Sequence, residues 1–332
     1  MSRRTMTRRP MAGQTMRRRP IGARAAIGVA FAAVLLGLAG CSPAPGSGAD
    51  NATAQPQVVV TTNILGDVVA EVLGDQADVT TLMRPNADPH SFELSAREAA
   101  LLDGADLVVS NGLGLEEGLQ QHLDRAAAAD APMLVAGDVI DVLPYAEGDA
   151  AGAPDPHFWT DPARMIDVVD ALEESAAGLP GIDPAALAAS ADAYRDELLA
   201  LDADMGESFA AIPDDRRALV TNHHVFGYLA ERFDFRLIGA VIPGGTTLAA
   251  PSAADLRDLS AAIREAGVET IFAESSQPDR LMQVLASEAD LDVQVVELFT
   301  ESLTEPGEGA ETYLEMMRAN TERISTGLTP AG

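Results

Sequence analysis

The 332-residue chain contains no lysine, and its 22 basic groups are all arginine. A nucleotide-gripping loop of the Gly-x-x-x-x-Gly-Lys type is therefore impossible. Cysteine occurs once, at Cys41, which excludes an intramolecular disulfide. Neither His-Glu-x-x-His nor Gly-x-Ser-x-Gly occurs, so the local signatures of a zinc peptidase and of a serine hydrolase are missing. Positive charge is also scarce: the formal net charge is −29. Eight of the arginines precede Cys41 and all 51 acids follow it, so the chain beyond that point carries −37. Nucleic acid and anionic membrane surfaces, which bind clustered cations, are poor partners for such a chain. A field of this sign concentrates cations instead.

The cations that do exist are gathered at the start. A basic region ending at Arg24, an apolar stretch over 25–39 and small residues after it read as a secretory signal, residues 1–40. The apolar part is too short for a membrane span. The ending Leu38-Ala39-Gly40-Cys41 resembles a bacterial lipobox. That resemblance implies cleavage before Cys41, acylation of its sulfur, and an extracytoplasmic protein anchored to the outer face of the cell membrane. Residues 41–56 are rich in Ser, Pro, Gly, Ala and Asn without apolar periodicity, the composition of a flexible tether.

Beyond the tether, apolar runs of strand length recur at 58–60, 79–83, 107–109 and 133–135, then at 218–220, 237–242, 270–272 and 293–298. Each is followed by a helix-like stretch. Uninterrupted β-branched runs alternating with helices indicate parallel strands covered on both faces. The expected fold is α/β in two lobes, 57–182 and 213–332, each a roughly four-stranded parallel sheet flanked by helices. One long helix over 183–212 joins them: Asp183 suits its N-cap and Pro184 its first position. Leu187, Ala191, Tyr194, Leu198, Leu201, Met205, Phe209 and Ile212 then recur three and four apart, and Pro213 ends the run. A single apolar stripe places this helix against the lobes.

Histidine is rare, with five in the chain, and four fall where a metal site would need them. His90 and His157 each close an Asp-Pro-His triplet, and His223-His224 follow the run at 218–220. One ring nitrogen of an imidazole binds metal while the other is held by a neighbouring acceptor. Prolines beside His90 and His157 stiffen their loops, which lowers the entropy lost on fixing each ring. Glu301, just past the last strand-like run, is the fourth candidate. Ligands of open parallel sheets bind beyond the carboxyl ends of strands, where these loops converge. Glu274, at the end of the 270–272 run, faces the same rim and suits a role behind the ligands, with direct ligation as the minority reading. His224 is a further minority candidate, read mainly as a packing residue because a neighbour in sequence points elsewhere. His122 reads as a solvated helix residue.

Four segments carry a specific resemblance: Asn86-Ala87-Asp88-Pro89-His90-Ser91-Phe92-Glu93, residues 105–116, Asp155-Pro156-His157-Phe158-Trp159-Thr160-Asp161-Pro162, and His223-His224-Val225-Phe226-Gly227-Tyr228. In order and spacing they resemble the zinc/manganese-binding lipoproteins of ABC importers. The resemblance implies two α/β lobes with metal held between them, and ligands at His90, His157 and His223. The fourth ligand, typically Asp in that family, falls on Glu301, which keeps the carboxylate on a longer arm. It also implies a cognate permease with its ATPase on the cytoplasmic side, a protein that is not an enzyme, and a monomer. The His-rich loop of many zinc-specific members is absent from 146–155, so auxiliary capture there should be weak.

Three imidazoles and one carboxylate suit tetrahedral Zn(II), whereas Mn(II) prefers more oxygen donors. Zn(II) is the expected cargo, with Mn(II) as the alternative. A secreted mononuclear zinc hydrolase is the rival from another class; it would need an open coordination position holding water beside a base.

Overall fold

In a computed structural model of the chain, residues 55–329 are described, apart from 147, 149, 277–279 and 289–292. The signal expected over 1–40, Cys41 and most of the tether lie outside the described residues. The first half alternates β1 (Gln57–Val60), α1 (Asn63–Leu73), β2 (Asp78–Thr81), α2 (Ala96–Leu102), β3 (Leu107–Ser110), α3 (Gln120–Ala128), β4 (Met133–Val135) and α4 (Pro162–Ala176). Its strands form one parallel sheet in the order β2-β1-β3-β4, with Val58 opposite Val79 on one side and Leu107 on the other. Val58, Val59 and Val60 are all buried, which is why the run shows no polar alternation.

The long helix is α5, Pro184–Ala210, capped by the Asp183 carboxylate on the Ala185 N–H. Its buried side chains are Leu187, Ala191, Tyr194, Leu198, Leu201, Met205 and Phe209, and Ile212 is buried just past its end. At 1.5 Å per residue it runs about 40 Å. The second half follows with β5 (Ala218–Thr221), α6 (Gly227–Phe233), β6 (Arg236–Ala240), α7 (Ala253–Ala266), β7 (Thr270–Glu274), α8 (Arg280–Glu288), β8 (Gln294–Leu298) and α9 (Tyr313–Leu328). The four expected strands are present, hydrogen-bonded as two parallel pairs, β5–β6 and β7–β8, with β5 alongside β7. Where β5 leaves its strand, the His223 N–H is taken by the Glu274 side chain at 3.2 Å. Among the described residues no helix is long and apolar enough to cross a membrane.

One apolar core runs from the first sheet through α4 and α5 to α6 and α9, joining Leu65, Val109, Met165, Phe209, Tyr228 and Tyr313. A second core, with Val220, Ile263, Ile271 and Met282, lies between the second-half strands and α7 and α8. Helix α9 is thus tied to the first half, and a polar contact reinforces the tie: the Tyr313 N–H donates to Asp67 Oδ2 on α1 at 2.8 Å. Burial, with Glu71 and Glu315 nearby, pushes the Asp67 carboxyl up from 3.8 to about 6. The folded protein therefore binds this proton more tightly than the unfolded chain. Its contribution to stability is complete below pH 4 and lost as pH rises through 6. A shift of that size corresponds to about 3 kcal/mol, reduced to roughly 1–2 by solvent at the side chain's exposed edge. Asp67→Asn keeps the acceptor and removes the charge. We expect it to stabilise the protein by that amount at pH 7.5 and by nothing at pH 4, read from urea unfolding at both; an equal gain at the two values would exclude the charge as the cause.

Candidate metal centre

His90 lies between β2 and α2, His157 follows β4, His223 stands two residues past β5, and Glu301 three past β8. All four come off the carboxyl side of their sheets, and all four are buried, none more than 1% exposed. Each offers one donor atom, and the four atoms lie within 4.8 Å of one another. Glu301 Oε1 is 3.0 Å from His90 Nε2, 3.3 Å from His157 Nε2 and 3.2 Å from His223 Nε2. Its second oxygen, Oε2, is buried without a hydrogen-bond partner.

The other nitrogen of two rings is accounted for. His157 Nδ1 donates to Asp155 Oδ1 at 2.7 Å, and His223 Nδ1 donates to Glu274 Oε1. Those bonds hold a hydrogen on Nδ1 and turn each Nε2, the nitrogen free to take a metal, toward Glu301. Tyr145 Oη sits 3.3 Å from His157 Nδ1 and donates to the Gly245 carbonyl at 3.1 Å. Asp155 also lies against the start of α6, where Gly227 has no side chain; a Cβ there would stand 2.5 Å from Asp155 Oδ2.

Electrostatics in the metal-free protein follow from this packing. Burial disfavours charge on Glu301, but the His223 imidazolium and hydrogen bonds from His157, His223 and His90 hold its carboxyl well below the usual range. Burial also works against protonation of His223, yet Glu274 and Glu301 raise it well above the ordinary value. His157 is raised in the same way by Asp155 and Glu301. Protons thus occupy the positions between imidazole and carboxylate that a cation would take.

The Glu301 segment is held from several directions. Trp159 Nε1 donates to the Thr300 carbonyl at 2.8 Å, and Asn63 Nδ2 to Ser302 Oγ at 2.8 Å. The Leu303 N–H donates to Asn63 Oδ1, and the Asn320 amide bonds both the N–H and the carbonyl of Phe299. These buried amides fix where the carboxylate points.

His90, His157, His223 and Glu301 come together. Glu274 stands behind His223 and outside the cluster. His224 also lies outside it, its ring 6.4 Å from that of Tyr145, beside a cavity of about 390 Å³ that Asp155 and Glu231 also line. His122 is half-buried on α3 and accepts from Arg125 Nη2 at 3.1 Å. Glu147 and Asp149, acids of the loop before His157, lie outside the described residues. Sequence reasoning assigned no role to Asp88, Asp155, Asn63 or Asn320. The signal for two of them was the repeated Asp-Pro-His: Asp88 Oδ1 accepts the His90 N–H at 2.8 Å and Asp155 Oδ1 the His157 N–H at 3.0 Å. The two asparagines lie outside the motifs around the four clustered residues and gave no such signal.

Residues 58–327 match the family described as zinc-uptake complex component A, periplasmic. The zinc-binding protein TroA of Treponema pallidum is 30% identical over 88% of this chain and 94% of its own length. Its solved structure, a periplasmic zinc-binding protein, superposes with a TM-score of 0.76 at 28% identity, covering 83% of this chain and all of that one. The manganese-binding lipoprotein MntA of Halalkalibacterium halodurans is 25% identical over 82% of this chain and 88% of its own. The iron-binding protein YfeA of Yersinia pestis is 27% identical over 82% and 86%. With the family model matching four-fifths of its length, the chain belongs to the zinc-uptake complex component A family.

Proposed function

We propose that the protein is the extracytoplasmic metal-binding component of an ABC importer, which takes up Zn(II) at His90, His157, His223 and Glu301 and hands it to a permease driven by a separate ATPase. The observation that carries this reading is the convergence of four buried donor atoms within 4.8 Å. Three imidazole nitrogens and a carboxylate oxygen make the donor set of tetrahedral zinc. The metal is cargo, and the family is one of binding proteins, so the hydrolase reading is set aside. The division into signal (1–40), lipid tether from Cys41, two lobes and a linker over 183–212, and a monomeric state, belong to the same proposal.

Manganese is the second reading, favoured by one feature. Glu301 Oε2 is buried and unpaired, so a bidentate carboxylate would supply a fifth donor, and Mn(II) takes higher coordination with more oxygen. Named relatives divide between the metals as well. The test is calorimetric titration of the purified protein with Zn(II), Mn(II) and Fe(II), alone and in competition. Zinc is expected to displace manganese completely. Manganese holding against equimolar zinc would reverse the assignment, and absence of binding by all three would remove it.

A further inference from the structure

Three of the four proposed ligands are held firmly away from the donor atom. His157 and His223 are fixed by buried carboxylates, and the Glu301 segment by Trp159, Asn63 and Asn320. His90 is different. Its Nδ1 is buried without a hydrogen-bond partner, and the neighbouring carboxylate of Glu117 stands 3.8 Å away on an exposed side chain. The segment carrying it, between β2 and α2, has no helix or strand.

On the side away from Glu301, His90 is held through its main chain by the Asp88 carboxylate. Asp88 Oδ1 accepts the His90 N–H at 2.8 Å, and Asp88 Oδ2 accepts the Thr247 hydroxyl at 2.6 Å. Thr247 belongs to the loop between β6 and α7, in the other half of the chain. The same loop accepts a second bond, from Tyr145 Oη to the Gly245 carbonyl, so it reaches across to both histidine-bearing loops of the first half. Displacing Glu301 or His223 breaks several buried hydrogen bonds at once. Asn86 pins the base of the His90 loop, its N–H on the Leu303 carbonyl at 2.9 Å and its Nδ2 on Glu308 Oε2 at 2.9 Å, so lifting the tip that carries His90 turns on the partly buried Thr247–Asp88 bond.

We infer that Thr247 and Asp88 form the latch of the metal site: His90 is the exchange ligand, and metal enters and leaves as its loop lifts away from Thr247. This rests on the metal-binding reading above. Asp88 and Thr247 act as positioning residues; neither carboxylate nor hydroxyl is among the four clustered donors. Release through His90 leaves the other three donors in place, so the emptied site is ready for the next ion.

The test follows zinc release from the loaded protein into excess chromophoric chelator by stopped flow, in wild type, Thr247→Val, Thr247→Ser and Tyr145→Phe. Thr247→Val is expected to speed release about tenfold, the size of losing one hydrogen bond to a charged acceptor. Thr247→Ser restores the hydroxyl and is expected to stay within about twofold of wild type by the same reasoning. Melting of the metal-free variants accompanies each rate, because a merely structural role would lower stability without rescue of the rate by serine. Wild-type release from Thr247→Val overturns the latch, as does acceleration by Tyr145→Phe alone, which would put the exit at His157. If wild type binds no metal in the preceding titration, the binding reading fails and the latch with it. Binding intact with an unchanged valine rate sinks the latch alone.

Discussion

Replacing Glu301 by glutamine is expected to weaken zinc binding by roughly a hundred- to a thousandfold while the fold persists. Buried four-ligand zinc sites bind with about 10–16 kcal/mol, so one donor in four accounts for roughly 3–4 kcal/mol, and every 1.4 kcal/mol is tenfold. Glutamine fills the same space and still presents an oxygen to the three rings, but it carries no charge. The substitution also changes the protons. In wild type, His157 and His223 hold protons above the ordinary histidine value of 6.5, in part because Glu301 faces them. Metal needs their Nε2 lone pairs, so binding at pH 7 releases protons and affinity rises with pH through the neutral range. Without the Glu301 charge, His157 and His223 lose one of the partners that raise them, and fewer protons are released. Calorimetry in two buffers of different ionisation heat reads affinity and proton count together. An unchanged affinity would show that Glu301 does not touch the ion; reduced affinity with unchanged proton release would remove the electrostatic account of the metal-free site.

Trp159→Ala is expected to cost about 3–5 kcal/mol of stability, a large share of the 5–15 that a folded domain commands. The indole is 2% exposed and packs edge-on against Phe158 and His157, with ring centroids 6.1 and 5.3 Å away. Its Nε1–H serves the Thr300 carbonyl, and its own carbonyl accepts the Tyr313 hydroxyl at 2.8 Å. Trp159 therefore joins the His157 loop to the Glu301 segment and to α9. Trp159→Phe separates the two effects: it keeps a ring in the core and leaves the Thr300 carbonyl unpaired, for about 1–3 kcal/mol. Urea midpoints of both variants, extrapolated linearly to water, give the comparison. Zinc affinity should fall in the alanine variant beyond the loss in stability, since the Glu301 carboxylate loses part of its support. A phenylalanine variant as stable as wild type would mean that the Thr300 bond carries nothing.

Much of this molecule was legible from local patterns. The β1 valines, Asp183 with Pro184, and the stripe from Leu187 to Phe209 announce their elements, because strand burial, capping and helical periodicity depend on residues a few positions apart. The capping boxes at Ser95 and Ser252, seen in the structure, are equally short-range, though the sequence reading passed over them. The Asp-Pro-His triplets gave two of the candidate histidines, His90 and His157, and contained, unread, the aspartates that accept their main-chain N–H groups. The hydrogen bonding of β5 to β8 was not legible: apolar runs fix the number of strands, whereas pairing depends on which edges meet, and Glu274 takes the His223 N–H at the junction of the two pairs.

The sequence by itself determined the class of fold, the scarcity and placement of the imidazoles and the presence of a carboxylate past the last strand. The tertiary structure alone decided that Glu301 faces the three Nε2 atoms while Glu274 stands behind His223, and that His224 turns toward Tyr145. It also decided that Asn63 and Asn320 grip the Glu301 segment and that Thr247 holds Asp88. The physical reason is distance along the chain: His90 and Glu301 are separated by 211 positions, and Asn63 and Ser302 by 239. Which side chains meet across such separations is set by how helices and sheets pack, and no local periodicity records it.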